Sequence, residues 1–408
     1  MHPLDPAIVR AQFPAFAEPS LAGQMHFENA GGSYACAQVI DRLTRFYRAR
    51  KVQPYGPFAA SADAGAEMDE ARVRMAALLG VGPEALVFGP STTQNAYVLA
   101  QAFAQQLSPG DAIVVTDQDH EANSGPWRRL AERGIEVREW RVDAETGHLD
   151  PAALAPLLDG PVRLVAFPHC SNIVAEINPV AEICAMVHAA GAVACVDGVS
   201  YAPHGFPDVA ALGADIYLLS AYKTYGPHQG LMVIDPDLAR RLPNQGHYFN
   251  AEDLAKRFAP AGPDHAQVAA CAGMADYVDL LHAAHGGEEA TPRDRADAVH
   301  QAMRAREEAL LAPLLAMLKA RNDVRLLGPS DPATRAPTVA LALDRPGAEV
   351  AAALAPHGIM AGGGDFYAVR VLEAMGVDPA HGVLRLSFTH YTHEDEIAGL
   401  MEALDAVL

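Results

Sequence analysis

From about residue 71 to residue 233 the chain switches repeatedly between two hydrophobic periods, and this alternation constrains its fold more than any other feature. Short runs rich in Val, Ile and Leu stand at 85–88, 112–116, 164–167, 192–196 and 216–219, each bounded by Gly, Pro, Asp or Ser. Apolar runs of this length without polar alternation belong to strands buried on both faces. Between them lie amphipathic stretches such as 123–133 and 179–190, with helical spacing. Strand–helix alternation predicts an α/β fold with a mostly parallel sheet covered by helices. Ligands bind such sheets outside the carboxyl ends of the strands, so the loops that follow strands should carry the chemistry.

The pattern changes after that. Residues 242–262, rich in Pro, Asn and Gly, read as irregular structure leaving a large domain. Helical sequence follows at 266–284 and 293–321, then strand patterns at 338–343 and 383–388 and a last helix at 394–407. The organisation expected is an N-terminal arm (1–25) packed with a smaller C-terminal α+β domain (261–408), and a large domain over 26–260.

With 408 residues, half of them hydrophobic, the chain can bury one large core and a second smaller one. Its formal net charge of -20 repels polyanions, which excludes nucleic acid and anionic membrane surfaces as partners. A small anionic ligand stays open to it, because local Arg, Lys and helix N-termini outweigh the global field at contact distance. No uncharged apolar run reaches the roughly 18 residues of a membrane-spanning helix. The first 16 residues carry Asp5 and Arg10 and lack a signal-peptide core. Cys36, Cys170, Cys184, Cys195 and Cys271 are scattered, without the spacing of a metal site or a disulfide framework. A reducing, cytoplasmic setting is the expectation.

Four loops after strands concentrate chemistry-bearing residues. In the first, Ser91, Thr92 and Thr93 precede a helix starting near Asn95. Small hydroxyl residues there either simply cap the helix or, with its free N–H groups, hold a phosphate. In the second, His120 lies just past the run 112–116, as a surface imidazole or as a ring that stacks on a cofactor or shuttles protons. In the third, Asp197 ends the wholly apolar run 192–196. A carboxylate so placed needs a partner, since desolvating it alone is costly. That partner is a helix N-terminus, an Arg, or the protonated nitrogen of a pyridine ring that acts as an electron sink. In the fourth, Lys223 follows the run 216–219, hemmed by Tyr222 and Tyr225 and followed by Gly226-Pro227. It is either an edge lysine with its head in water or a partly buried amine of lowered pKa, able to form an imine.

Taken together, the order of phosphate loop, His, strand-end Asp and strand-end Lys resembles the class V aminotransferase and cysteine desulfurase family of fold-type-I pyridoxal phosphate enzymes. The resemblance runs from Phe27-Glu28-Asn29-Ala30-Gly31-Gly32 to about Tyr391. It includes His169-Cys170-Ser171-Asn172 with Asn178-Pro179, then Asp197, then Ser220-Ala221-Tyr222-Lys223 with Gly226-Pro227. It implies a large domain with a mostly parallel seven-stranded sheet, a smaller C-terminal domain, pyridoxal 5'-phosphate as cofactor, and a homodimer acting on a small amino-acid substrate. It implies catalytic roles for Lys223, as Schiff-base lysine, and for Asp197 and His120, facing the pyridine nitrogen and the ring face. Thr92, Thr93 and Ser220 would hold the phosphate, Asn172 would lie near the cofactor hydroxyl or the substrate, and Ser200 near the cofactor hydroxyl. Arg385, in Leu384-Arg385-Leu386-Ser387, would clamp the substrate carboxylate, with Asn29 also at the substrate.

The sequence departs from that family in three places. The small-domain loop that carries a nucleophilic cysteine in cysteine desulfurases reads Gly362-Gly363-Gly364-Asp365-Phe366-Tyr367 here, and no cysteine follows Cys271. This form resembles a Cys-less, cysteine desulfurase-like subgroup. Ser200 stands where relatives have Gln or His. Gly262 stands where relatives have a Thr that reaches the phosphate of the neighbouring subunit's cofactor, which leaves only a backbone N–H for that task. The resemblance therefore implies carbanion chemistry at Cα, with β-elimination of a sulfur-type leaving group first, then transamination, then epimerisation. A pyridoxal phosphate-binding protein without turnover is the non-enzymatic reading. A nucleotide-binding α/β protein fits less well, because there is no G-x-G-x-x-G after the first strand and no P-loop lysine motif.

Overall fold

The computed structural model describes residues 1–288 and 291–408. Its centre is a seven-stranded sheet built from β1 (Leu86–Gly89), β2 (Ala112–Thr116), β3 (Glu136–Trp140), β4 (Val162–Pro168), β5 (Val193–Asp197), β6 (Ile216–Ser220) and β7 (Gly230–Ile234). The spatial order is β1-β7-β6-β5-β4-β2-β3. Strand β7 is antiparallel to both β1 and β6, and the other pairings are parallel. Six strands therefore share one direction, and their carboxyl ends open on one edge. This is the α/β architecture that the strand–helix alternation predicts.

Two strands are absent from the pattern of apolar runs. Strand β3 is the sheet edge and reads Glu-Val-Arg-Glu-Trp, half-polar because one side meets solvent. Strand β7 is apolar but follows β6 closely, returning antiparallel where a parallel neighbour would need a crossover. The stretch 123–133 is not one helix. Pro126 begins a short turn over Gly125–Arg128, which tightens into a 3-10 segment, Arg129–Arg133, closed by Gly134 at φ 81°.

Strands β1, β2, β5, β6 and β7 are buried along all or nearly all of their length. One core packs Phe88, Val165, Phe167, Val196 and Leu219 beneath the sheet, and another packs Val87, Ile113, Leu164, Leu218 and Met232 above it. Truncating one of these side chains to Ala costs about 2–5 kcal/mol. The order of the central strands is held by that burial.

The helices α1 (Ala37–Ala49), α2 (Ala59–Leu78), α3 (Thr92–Phe103), α4 (Val180–Ala189), α5 (His265–Ala270) and α6 (Ala272–Ala284) surround this sheet. Helices α5 and α6 pack on α1 and α2, and Ala266, Cys271, Tyr277 and Leu281 share one apolar core with sheet residues. The same core also takes in Val299, Met303, Leu327 and Val383, so apolar packing is continuous across the boundary expected near residue 260.

The long helix α7 (Pro292–Lys319), which opens with a Thr291–Asp294 capping box, leads into a four-stranded antiparallel sheet. Its strands are β8 (Arg325–Leu327), β9 (Thr338–Ala342), β10 (Gly362–Gly364) and β11 (Val383–Ser387), in the order β10-β11-β9-β8. Helices α8 (Gly347–Leu354) and α9 (Glu394–Val407) complete a separate core around Leu314, Val339, Leu386 and Leu400. The N-terminal arm ties both bodies together. Arg10 pairs with Glu396 of α9, while Phe13 packs edge-on against Tyr225, Tyr277 and Tyr391. Among the described residues no helix is long and apolar enough to cross a membrane.

Candidate active site

The sheet register brings the strand ends together. Asp197 of β5 lies opposite Pro168 of β4 on one side and Leu218 of β6 on the other. The chain past β4 therefore delivers His169 and Asn172 beside Asp197, and the chain past β6 delivers Ser220 and Lys223. A backbone bond from His169 N–H to the Asp197 carbonyl, 2.8 Å, locks this edge. Strands β1 and β2 add the loops bearing Thr92 and His120 at the same edge.

The result is a cavity of about 340 Å³ lined by Thr92, Thr93, Asp119, His120, Asn172, Asp197, Ser200, Ser220, Tyr222 and Lys223, among others. A second cavity of about 470 Å³ adjoins it, sharing Thr93, His120, Asn172, Tyr222 and Lys223 and adding Glu28, Gly31, Phe366, Tyr367 and Arg385. Eight residues singled out from sequence thus line one cavity, and Arg385 lines its neighbour.

At one end, Ser91 caps α3 by accepting from the Gln94 N–H, 3.2 Å. The free N–H groups of the first turn and the helix dipole favour an anion there. The Thr92 and Ser220 hydroxyls lie 2.8 Å apart at the same point. Gly230 makes this close approach possible, because a Cβ there would run into the backbone of Ser91 and Thr92. Thr93 stands exposed on the next position of the turn.

At the other end, Asp197 is 5 % exposed and accepts from the Val199 N–H, 2.8 Å. Burial raises its carboxyl pKa to about 6, against the opposing pull of that N–H and of Lys223. Asp119 lies beside it, fully buried, with its pKa pushed well up by burial and by the Asp197 charge. Asp119 accepts from the Asn123 side-chain amide at 2.9 Å, and Asn123 in turn accepts from the Trp127 indole at 3.1 Å. A pair of buried carboxylates at a strand edge holds a proton readily and suits a basic ring nitrogen.

Lys223 is 8 % exposed on a 3-10 turn, Ala221–Lys223. Burial first, and then the Arg385 charge, lower its pKa to about 8 against the opposing pull of Asp197 and Glu28. The amine is therefore partly neutral, and nucleophilic, near neutral pH. The His120 imidazole accepts from the Ala122 N–H, 3.0 Å, and burial with the Lys223 and Arg385 charges depresses its pKa to about 3. It stays neutral, as a ring that stacks on an aromatic ligand should. Asn172 donates to the Phe366 carbonyl at 3.0 Å, while its own side-chain oxygen is buried without a partner. Behind these residues the His169 ring stacks on Tyr201 at 3.6 Å and hydrogen-bonds the Tyr217 hydroxyl at 2.8 Å, which stiffens the floor.

Arg385 is 3 % exposed on β11, with its guanidinium 3.8 Å from the Phe366 ring centroid. It donates to Glu28 Oε1 at 2.7 Å, and its Nε has no partner. Burial lowers its pKa against the pull of Glu28.

Two further residues assigned from sequence, Asn29 and Gly262, do not line these two cavities. Asn29 is buried behind the cleft wall, where its side-chain oxygen accepts from the Tyr391 hydroxyl at 2.7 Å. A buried amide needs such a partner, and this one holds the side chain away from the cleft. Gly262 is exposed, with no side chain or backbone of its own chain near the space a Cβ would fill. In turn, sequence reasoning missed Asp119 and Glu28. Asp119 sits in the polar run Asp117-Gln118-Asp119-His120-Glu121, which reads as a solvated loop. Glu28 could have been found from Gly31, three residues on, which leaves room for a side chain that folds back.

The residues fit pyridoxal phosphate. A helix N-terminus with two converging hydroxyls suits the phosphate, a buried carboxylate the ring nitrogen, and a neutral imidazole the ring face. The unpartnered Asn172 oxygen suits the ring hydroxyl, and a buried amine suits the aldehyde.

Comparison with known proteins gives the same answer. The chain matches the family model described as aminotransferase class-V over residues 25–285 and 295–400. It is 32% identical to an aminotransferase-like protein of Gibberella zeae, covering 98% of each chain. It is 30% identical to a cysteine desulfurase of Serratia proteamaculans, over 98% of this chain and 97% of that one. Among solved structures, the apo cysteine desulfurase of Thermococcus onnurineus NA1 superposes with a TM-score of 0.86 at 23% identity, covering 100% of this chain and 99% of that one. That last likeness speaks for the fold alone.

Proposed function

Because the chain belongs to the class V aminotransferase family and is thus a pyridoxal phosphate-dependent enzyme, we propose that it acts at Cα of an amino acid and eliminates a β-substituent, as a C–S lyase that uses no cysteine of its own. The observation that carries the lyase reading is the state of the cysteines. All five are buried, and burial pushes the thiols of Cys36, Cys170 and Cys184 up to about 12 and those of Cys195 and Cys271 well above their ordinary value. Cys170 borders the cavity, but its thiol faces the Ala175 carbonyl at 3.4 Å. The loop opposite Lys223 presents Phe366 and Tyr367 instead of a thiol. A thiolate is what accepts sulfur as a persulfide, so a leaving sulfur must here depart as a small molecule.

When bound, pyridoxal phosphate supplies an electron sink that makes the Cα proton of an amino acid removable. Thr92, Ser220 and the first turn of α3 hold its phosphate, with Thr93 at the rim. Asp197 keeps a proton at the ring nitrogen, and Asp119 behind it discourages loss of that proton by adding negative charge. His120, neutral, covers one ring face and excludes water from it. Asn172 and Ser200 stand at the ring hydroxyl, and Arg385 fixes the substrate carboxylate, which sets the direction of the Cα–H bond. The Lys223 amine, in its neutral form, would take that proton from Cα. In the overall reaction the Cβ–S bond breaks with its electrons going to sulfur, and one water enters. A cysteine S-conjugate yields pyruvate, ammonia and a thiol. We expect the enzyme to work in the cytoplasm as a homodimer, with Gly262 facing the neighbouring subunit's cofactor.

Amino transfer to a 2-oxo acid is the second reading, favoured by the aminotransferase-like relative that is similar over 98% of both chains. The test is to supply the holoenzyme with L-cysteine and S-alkyl cysteines and to assay pyruvate without any 2-oxo acid. Pyruvate and thiol in equal amounts support elimination. A reaction that needs an added 2-oxo acid and yields its amino acid supports transfer.

A further inference from the structure

The Glu28–Arg385 pair leaves two unsatisfied atoms in the substrate cavity. Arg385 donates to Glu28 Oε1 at 2.7 Å, yet Arg385 Nε and Glu28 Oε2 are both buried without a hydrogen-bond partner among the described residues. Both residues line the cavity that also contains Lys223. The Glu28 carboxylate lies between two glycines. A Cβ at Gly31 would lie 2.6 Å from Oε1, and one at Gly362 would lie 2.8 Å from Oε2, so the carboxylate occupies space that these two glycines leave open.

A guanidinium carries five donors, and Glu28 engages one of its nitrogens. Arg385 can therefore bind a substrate carboxylate while keeping Glu28. That arrangement sets two carboxylates against one cation in a partly desolvated cavity. A third carboxylate, on a substrate side chain, would be repelled, whereas a cationic N–H group would meet the unpartnered Oε2 as a charge-assisted hydrogen bond.

We infer that Glu28 determines substrate specificity, selecting amino acids whose side chain ends in an N–H cation such as an ammonium, guanidinium or imidazolium. The inference rests on Arg385 receiving the substrate's α-carboxylate. For the lyase it names the substrate class as a cysteine conjugate whose sulfur bears a cationic substituent.

Spectral titration of the holoenzyme with L-lysine, L-norleucine and L-glutamate tests this by binding alone, without turnover. In the wild type, lysine should bind roughly 10-fold or more tightly than norleucine, with glutamate weakest, as a hydrogen bond between charged groups implies. Glu28→Gln keeps the side-chain volume. It should still take up the cofactor, while abolishing the preference for lysine over norleucine and strengthening glutamate binding. Equal binding of lysine and norleucine by the wild type, or a lysine preference that survives in Glu28→Gln, overturns the role of Glu28 while leaving the site intact. Failure of all three amino acids to perturb the wild-type spectrum, together with an unchanged response in Arg385→Ala, overturns the carboxylate role of Arg385 and the inference with it.

Discussion

The Thr92 and Ser220 hydroxyls meet at 2.8 Å although 128 positions separate them in the chain. Their meeting follows from the sheet. Strand β7 lies between β1 and β6, and Gly230 opens the space in which the turn after β1 reaches the end of β6. If this pair grips the cofactor phosphate, Thr92→Val should weaken cofactor binding by about 10-fold, the size of one hydrogen bond to a charged group. Equilibrium dialysis of the refilled protein checks it, and Ser220→Ala should give a similar loss.

Asp197 is the carboxylate expected to hold a proton at the ring nitrogen. Asp197→Asn keeps the shape but removes the charge, and should lower kcat by roughly 10²-fold or more, with a smaller change in cofactor affinity. Steady-state kinetics of pyruvate release would show it.

Uptake of the cofactor by apoprotein should depend on pH in a specific direction. The neutral amine of Lys223 is the nucleophile, so the rate rises with pH and levels off above the pKa, which burial has lowered to about 8. Removing the second cause, as in Arg385→Leu, should move the midpoint of the rise upward. Stopped-flow absorbance across pH reads both effects.

Glu307 of α7 is wholly buried, with His204 Nδ1 hydrogen-bonded to its Oε1 at 3.1 Å and the His390 backbone N–H donating to the same oxygen at 3.1 Å. It ties the large body to the segment before α9. Glu307→Ala strands the buried His204 ring and should destabilise the protein by about 3–5 kcal/mol, read by urea unfolding.

Much of this was legible in the sequence because burial on both faces leaves a plain signature. Strands β2, β4, β5 and β6 are apolar throughout or nearly so, and a charged residue just past such a run, such as Asp197 or Lys223, stands out. The same logic explains what was hidden. Strand β3 sits at an edge and mixes Glu and Arg into its pattern, so it does not announce itself. Helices α5 and α6 follow an irregular stretch, yet they return to the large core through contacts with α1 and α2 that no local pattern encodes. Asn29 matched a family segment, but its side chain is taken by Tyr391, 362 positions away. The Glu28–Arg385 pair spans 357 positions and depends on the bridge that sets Glu28 beside Ser387 of β11, which only the folded chain shows.

The central claim is that Lys223 bonds covalently to pyridoxal phosphate, and borohydride reduction of the holoenzyme followed by peptide mass analysis tests it most directly. The account predicts a phosphopyridoxyl group on the peptide containing Lys223, and none after Lys223→Ala. A label on another lysine, or a protein that takes up no cofactor, would contradict it.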